Sequence, residues 1–350
     1  MADVIGKKVA VILGVVLSLG VIVLTVVLCG AFFFFRPSSG QTGNQQLTQG
    51  SKNDSHIQNT TSGPIAVDTT QSGYSVSFLP GKVVGHVTFP LLTETSGICA
   101  SRRYKDVLYT HNDSGGLNRI FALNGTSGDH LLTIYIEGAT HQDWEDIAYG
   151  PCGTSSSAGG YCIFVADTGG NAGGLANTIF RIAEPQVDFS LNIGSELNVS
   201  LDSTLKFSWD QYDCETIMVD EQGEVYVISK VMSWNQPKLA HLPRHAWGTN
   251  QRVNVSMGVF LPELTSNRDN PTAGDISPDG TEVLLKTYQQ VLYWHVPDRD
   301  YFRHMVRRPA VLPYIRERQG EAVCWDAAST GYYTLGEDVN ATLYYYRRVG

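Results

Sequence analysis

The sequence predicts an all-β fold, a five-bladed β-propeller preceded by one transmembrane helix. Three observations predict it. Beyond residue 73, short runs of β-branched and aromatic residues alternate with Gly, Asn, Asp and Pro turns, without helical periodicity. Five segments of that region align on one hydrophobic position. The last of the five is one strand short, and a spare strand stands before the first.

Residues 1–8 form a short tail carrying Lys7 and Lys8. From Val9 to Phe35 the chain has 27 consecutive residues without a charge. As a helix this run would span roughly 40 Å, more than the ~30 Å hydrocarbon core of a bilayer. It is also longer than the apolar part of a cleaved signal peptide. It is therefore expected to be a signal-anchor helix. Arg36 is the one nearby cation after it, so the positive-inside rule puts the tail in the cytoplasm and the C-terminal part outside or in the lumen. Residues 36–73 are rich in Ser, Thr, Gln, Asn and Gly and cannot bury enough apolar surface to fold, which predicts a stalk. Residues 74–350 form the extracellular propeller.

Asn-x-Ser/Thr acceptors lie only beyond the anchor, at Asn53, Asn59, Asn124, Asn198, Asn254 and Asn340. A further one, Asn112, falls in the loop "NDSGG" and is expected to remain unglycosylated. Cys152 and Cys162 flank the Gly/Ser-rich "CGTSSSAGGYC" and predict a hairpin disulfide. That leaves Cys99, Cys214 and Cys324 as an odd set. The formal net charge of −9 argues against nucleic acid and anionic membrane surfaces as partners.

The aligned segments are "TSGICAS" at Ile98, "WEDIAYG" at Ile147, "CETIMVD" at Ile217, "AGDISPD" at Ile276 and "GEAVCWD" at Val323. Their spacings are 49, 70, 59 and 47 residues, each enough for about four short strands. The 70-residue step leaves room for a sixth blade. After Val323 three strands remain, and "GKVVGHVTFPLL", from Gly81 to Leu92, offers the fourth that would close the ring.

Two residues before each key hydrophobe stand Ser96, Glu145, Glu215, Gly274 and Glu321. One residue before stand Gly97, Asp146, Thr216, Asp275 and Ala322. The first unit carries Glu94 slightly earlier. At the end of the second strands stand Asp113, Asp167, Lys230, Lys286 and Glu337. Consecutive strands of a blade run antiparallel, so both sets belong at one end of the sheets. Gathered around a channel mouth, the carboxylates repel unless a cation offsets them, and carboxylates and carbonyls are the ligands Ca²⁺ takes. This assigns Glu145, Asp146, Glu215, Asp275 and Glu321 to a metal. Glu94, Asp113, Asp167, Lys230, Lys286 and Glu337 are assigned to ligand contacts. The competing explanation is turn chemistry, with the acids capping strands and loops. "HLPRH" places His241 and His245 at metal-like spacing, but its proline opposes a helix displaying both. The sequence has no Gly-x-Ser-x-Gly elbow, phosphate loop or His-Glu-x-x-His.

Taken together, "ETSGI", "THNDSGG", "QDWEDIA", "YDCETIMVD", "AGDISPDG" and "GEAV" resemble a poorly characterised group of secreted or anchored propeller proteins. That group is distantly similar to phytase-like and SdiA-regulated propellers. The resemblance covers roughly residues 91–337 and implies a propeller with a cation-binding central funnel, without implying an activity. The expected function is a type II cell-surface glycoprotein that binds an extracellular ligand or partner at a Ca²⁺-binding mouth. The alternative is a Ca²⁺-dependent ectoenzyme acting on phosphoesters or nucleotides.

Overall fold

The computed structural model describes residues 65–67, 75–153, 160–170, 177–231, 235–265 and 270–350. The chain divides into two units, Met1–Asn59 and Thr60–Gly350, and every described residue belongs to the second. The expected anchor, most of the stalk, Asn53 and Asn59 lie outside the described residues. Among the described residues no helix is long and apolar enough to cross a membrane.

Five sheets make up the fold. Their innermost strands are Thr95–Ala100, Trp144–Pro151, Asp213–Val219, Pro271–Ile276 and Gly320–Trp325. Each packs against the next, and the fifth packs back against the first, so the ring closes as a five-bladed propeller. Ile98, Ile147, Ile217, Ile276 and Val323 are all buried on these strands. Side chains from neighbouring blades interdigitate in five apolar clusters, one per blade junction. Each buried Ile or Val contributes about 1.5–3 kcal/mol, which is why one apolar position recurs in every unit.

The second strands are Val107–Asn112, Tyr161–Asp167, Val225–Lys230, Glu282–Thr287 and Gly331–Gly336, each antiparallel to its inner strand. Closure follows the expectation. Lys82–Val87 pairs antiparallel with Ala341–Val349 as the fourth strand of the last blade. Val76–Phe78 extends the same C-terminal strand, so both ends of the propeller are held in one sheet. Gly85 permits this closure: a Cβ there would overlap the Ser127 carbonyl of the first blade.

The 70-residue step holds no sixth blade. After the third strand of the second blade, Thr178–Ala183, the chain runs back to the first blade. There Ser195–Ser200 adds a parallel fifth strand to His130–Glu137. It returns as Ser203–Trp209, the fourth strand of the second blade. Arg252–Val255 repeats the device, adding in parallel to Ser203–Trp209. Asn198 and Asn254 sit exposed on these two added strands, and Asn340 is exposed in a turn. Asn124 is half-buried, its Oδ1 accepting from the Thr126 amide and hydroxyl. Cys152 and Cys162 form the expected disulfide across the hairpin of the second blade, and Cys99, Cys214 and Cys324 are buried free thiols.

Candidate functional site

In three blades the inner strand carries a β-bulge, and the extra residue is the glutamate of the acidic column. The register skips Glu145 between Trp144 and Asp146, Glu215 between Cys214 and Thr216, and Glu321 between Gly320 and Ala322. A bulge leaves one residue out of the ladder and re-aims its side chain. The three carboxylates thereby turn toward one mouth of the channel. The first blade bulges one residue later, at Gly97, and the fourth earlier, at Thr272, so neither offers an acid there.

Side-chain oxygens of Asp113, Glu321 and Glu337 lie within 4.8 Å of one another, as do those of Asp113, Asp143 and Glu145, and those of Glu145, Asp213 and Glu215. Asp113 and Glu145 each belong to two groups, so the acids form one continuous arc across four blades. Burial pushes Asp113 up to about 7, with Glu321 and Asp143 adding to it. Burial, then Glu321, likewise raises Glu337 to about 7. Glu145 is driven far up by burial and then by Glu215. It is only 5% exposed, and its carboxylate faces this arc. One buried oxygen each of Asp113 and Asp213 also has no hydrogen-bond partner among the described residues.

One cation is built into the arc. The Lys230 ammonium pairs with Glu215 and approaches the Tyr288 hydroxyl, which donates to Glu321 at 2.6 Å. Burial works against the Lys230 charge, but Glu215, Tyr288 and Asp213 outweigh it and its pKa rises. Lys230 therefore neutralises the side of the arc toward Glu215. The Asp113, Asp143 and Glu145 side has no lysine among these contacts.

Several sequence-assigned residues stand elsewhere. Asp146 is not in the arc: its Oδ1 accepts from the Ile147 amide at 2.9 Å, and its Oδ2 from the amides of Ile217 (3.0 Å) and Gly274 (3.3 Å). One carboxyl thus ties three blades together. Asp275 Oδ2 accepts from the Trp325 amide at 2.8 Å and does the same between the fourth and fifth blades. Both acids therefore act as bolts of the ring where a metal role was expected. Lys286 is completely buried, bonded to the Tyr314 hydroxyl at 2.6 Å and paired with Glu317 at 3.3 Å. Burial lowers its pKa. Asp167 accepts from the Asp143 amide at 2.8 Å and from the Thr140 hydroxyl, holding the loop that presents Asp143. Glu94 is exposed beside the arc and adds to the field at Asp113 and Glu337.

The two Gly-Gly loops have distinct jobs. In "NDSGG", Asn112 accepts from the Thr93 and Glu94 amides and donates to the Leu91 carbonyl at 2.8 Å, so its amide nitrogen is engaged. His141 stacks on Trp144 at 4.2 Å and reaches the carbonyls of Leu117 and Asp113, fixing the loop over the mouth. In "ADTGG", a Cβ on Gly169 would overlap the carboxylates of Glu145 and Asp143. Trp144, without a counterpart in the other units, is a completely buried platform beneath His141.

Asp143, Asp213 and Tyr288 are site residues that sequence reasoning did not assign. For the two acids a signal existed. Asp143–Trp–Glu145 and Asp213–Cys–Glu215 share an Asp-x-Glu spacing, and alternate strand residues share a face. Tyr288 follows the strand Glu282–Thr287 and carries no comparable pattern.

No protein family and no curated protein matches this chain. Solved structures do. One is hydrazine synthase of Kuenenia stuttgartiensis, with 12% identity, TM-score 0.38, and coverage of 71% of this chain and 70% of that one. Another is the PQQ-bound form of aldose sugar dehydrogenase from Streptomyces coelicolor, with 8% identity, TM-score 0.43, and coverage of 77% and 100%. At these values neither bears on the chemistry of the mouth.

Proposed function

We propose that this chain is a membrane-anchored extracellular propeller whose acidic mouth binds Ca²⁺ and, through it, a ligand or partner. The observation that carries the reading is the arc of carboxylates, with Glu145 buried in it and, among the described residues, without an ion-pair partner. Isolated buried carboxylates are costly and normally find a partner or a metal. Oxygen-only donors of mixed Asp and Glu suit a hard cation that accepts six to eight oxygens at flexible geometry. Asp113, Asp143 and Glu145 would hold it, with Glu321 and Glu337 completing the oxygen set from the other side of Asp113. The uncharged Val9–Phe35 run, the polar segment after it and the Asn-x-Ser/Thr acceptors beyond it support the anchored, extracellular placement.

The test is calorimetric titration of the full chain with Ca²⁺ at pH 7.5. One ion should bind, and Glu145→Gln with Glu215→Gln should abolish the heat. An unchanged titration in that double variant, or no binding by the parent, defeats the reading. Loss of apparent mass on glycosidase treatment, and surface labelling of intact cells, test the placement.

A second reading, Ca²⁺-assisted phosphoester hydrolysis, is favoured by the Lys230 ammonium and Tyr288 hydroxyl beside the carboxylates. These are groups suited to contact phosphate oxygens while the ion activates water. No phosphate release from a broad ester and nucleotide panel with Ca²⁺ present would remove it.

A further inference from the structure

A cleft of about 720 Å³ opens beside the mouth at the edge of the third blade, sharing Asp213 and Lys230 with the arc. Its lining differs from that of the arc. Gln211, Asn235 and Gln236 supply three amide side chains, and Tyr212 and Phe260 supply two rings that are 63% and 50% exposed. The Tyr212 hydroxyl donates to the Gly170 carbonyl at 2.8 Å, which fixes the ring in place.

Charge in the cleft is partly offset. Asp210 pairs with Lys238 at 2.7 Å, and Asp213 feels the Lys230 ammonium, which also pairs with Glu215. An organic cation would meet Lys230, and an anion would meet Asp210 and Asp213. A neutral ligand rich in hydroxyl groups avoids both penalties. Its O–H groups donate to carboxylates and amide carbonyls and accept from ammonium and amide N–H groups. Asp213 lines the cleft, and its Oδ1 has no hydrogen-bond partner among the described residues. Exposed, positioned rings suit the apolar face of a sugar ring, whose C–H bonds would otherwise shed water less favourably.

We propose that this cleft binds a neutral carbohydrate, a pyranose lying over Tyr212 and Phe260. Its hydroxyls are read by Asp213, Lys230 and the amides. Recognition is direct and does not rest on the cation reading of the mouth.

The experiment is saturation-transfer difference NMR on the full chain in phospholipid nanodiscs, with the methyl glycosides of mannose, galactose and N-acetylglucosamine. At least one should show transfer, with Ca²⁺ and equally in EDTA, and bind at least tenfold more weakly to Tyr212→Ala and Phe260→Ala. Both positions are exposed, and an unchanged melting temperature verifies that the variants fold. The proposal is overturned by no transfer from any of the three, by affinity unchanged in both variants, or by loss of binding in EDTA. It is equally overturned if arginine amide or glucuronate displaces the sugar at lower concentration. Calcium calorimetry on the same sample separates this outcome from the fate of the ion site.

Discussion

Glu145 and Asp146 are adjacent acids with opposite structural roles, and exchanging each for its amide separates them. Asp146 accepts three backbone N–H bonds, from Ile147, Ile217 and Gly274, on two oxygens. In Asp146→Asn the amide group can retain at most the oxygen that serves two of them. At least one buried N–H then faces an NH₂ group instead of an acceptor. A buried donor left unsatisfied costs about 1–3 kcal/mol, and the lost bond lies in a three-blade junction, so a loss of about 2–3 kcal/mol is expected. For a domain of this size each kcal/mol is worth about 2–4 °C, giving a fall of about 4–12 °C in melting temperature. Glu145→Gln instead replaces a buried carboxyl that burial and Glu215 keep protonated without Ca²⁺, so no charge and no described hydrogen bond is lost. Without Ca²⁺ at pH 8 it should leave stability unchanged or raise it by about 1 kcal/mol, while weakening Ca²⁺ binding at least tenfold. The assay is thermal unfolding followed by tryptophan fluorescence, with and without Ca²⁺. Equal shifts in the two variants, or a fall in Glu145→Gln larger than in Asp146→Asn, would refute the division of roles.

Other expectations follow from the same geometry. Asp113 and Glu337 have folded pKa values raised to about 7, so the native state holds more protons than the unfolded chain between about pH 4 and 7. Their contribution to stability is therefore present at low pH and lost as pH rises through about 7. Melting temperature measured in EDTA should show this fall, and saturating Ca²⁺ should flatten it. Ca²⁺ binding should release protons near pH 7, seen as a calorimetric enthalpy that depends on the buffer. Gly169→Ala places a Cβ against Glu145 and Asp143, so it should weaken Ca²⁺ at least tenfold in the same titration with little change in melting. Lys230→Met strands Glu215 and should cost about 3 kcal/mol in urea unfolding. Adding Glu215→Gln should recover much of that loss. Replacing Cys152 and Cys162 by serine reopens a 10-residue separation and should cost about 2–3 kcal/mol in the same assay.

Some of this protein was written in local order. Strand periodicity and the five recurring hydrophobes determined the blades, because each inner strand must bury one side chain between its neighbours. The three strands of the unit that begins at Val323 and the spare one around Val84 determined the closure, since an unpaired edge is costly. Cys152 and Cys162 were legible from a short loop. The acidic column was legible too, but the roles within it were not. Glu145 and Asp146 look alike in the chain. Their roles part because a bulge turns one toward the mouth, while the amides of Ile217 and Gly274, 71 and 128 residues from Asp146, reach the other. The 70-residue step was likewise undecidable from spacing, because a strand can add to a neighbouring blade as readily as found a new one. Lys230 and Lys286 hold equivalent positions, yet only the packing around Tyr314 and Glu317 removes Lys286 from the mouth. Which acids share one space, and which lysine stays among them, is set by contacts distant in sequence and so belongs to the tertiary structure alone.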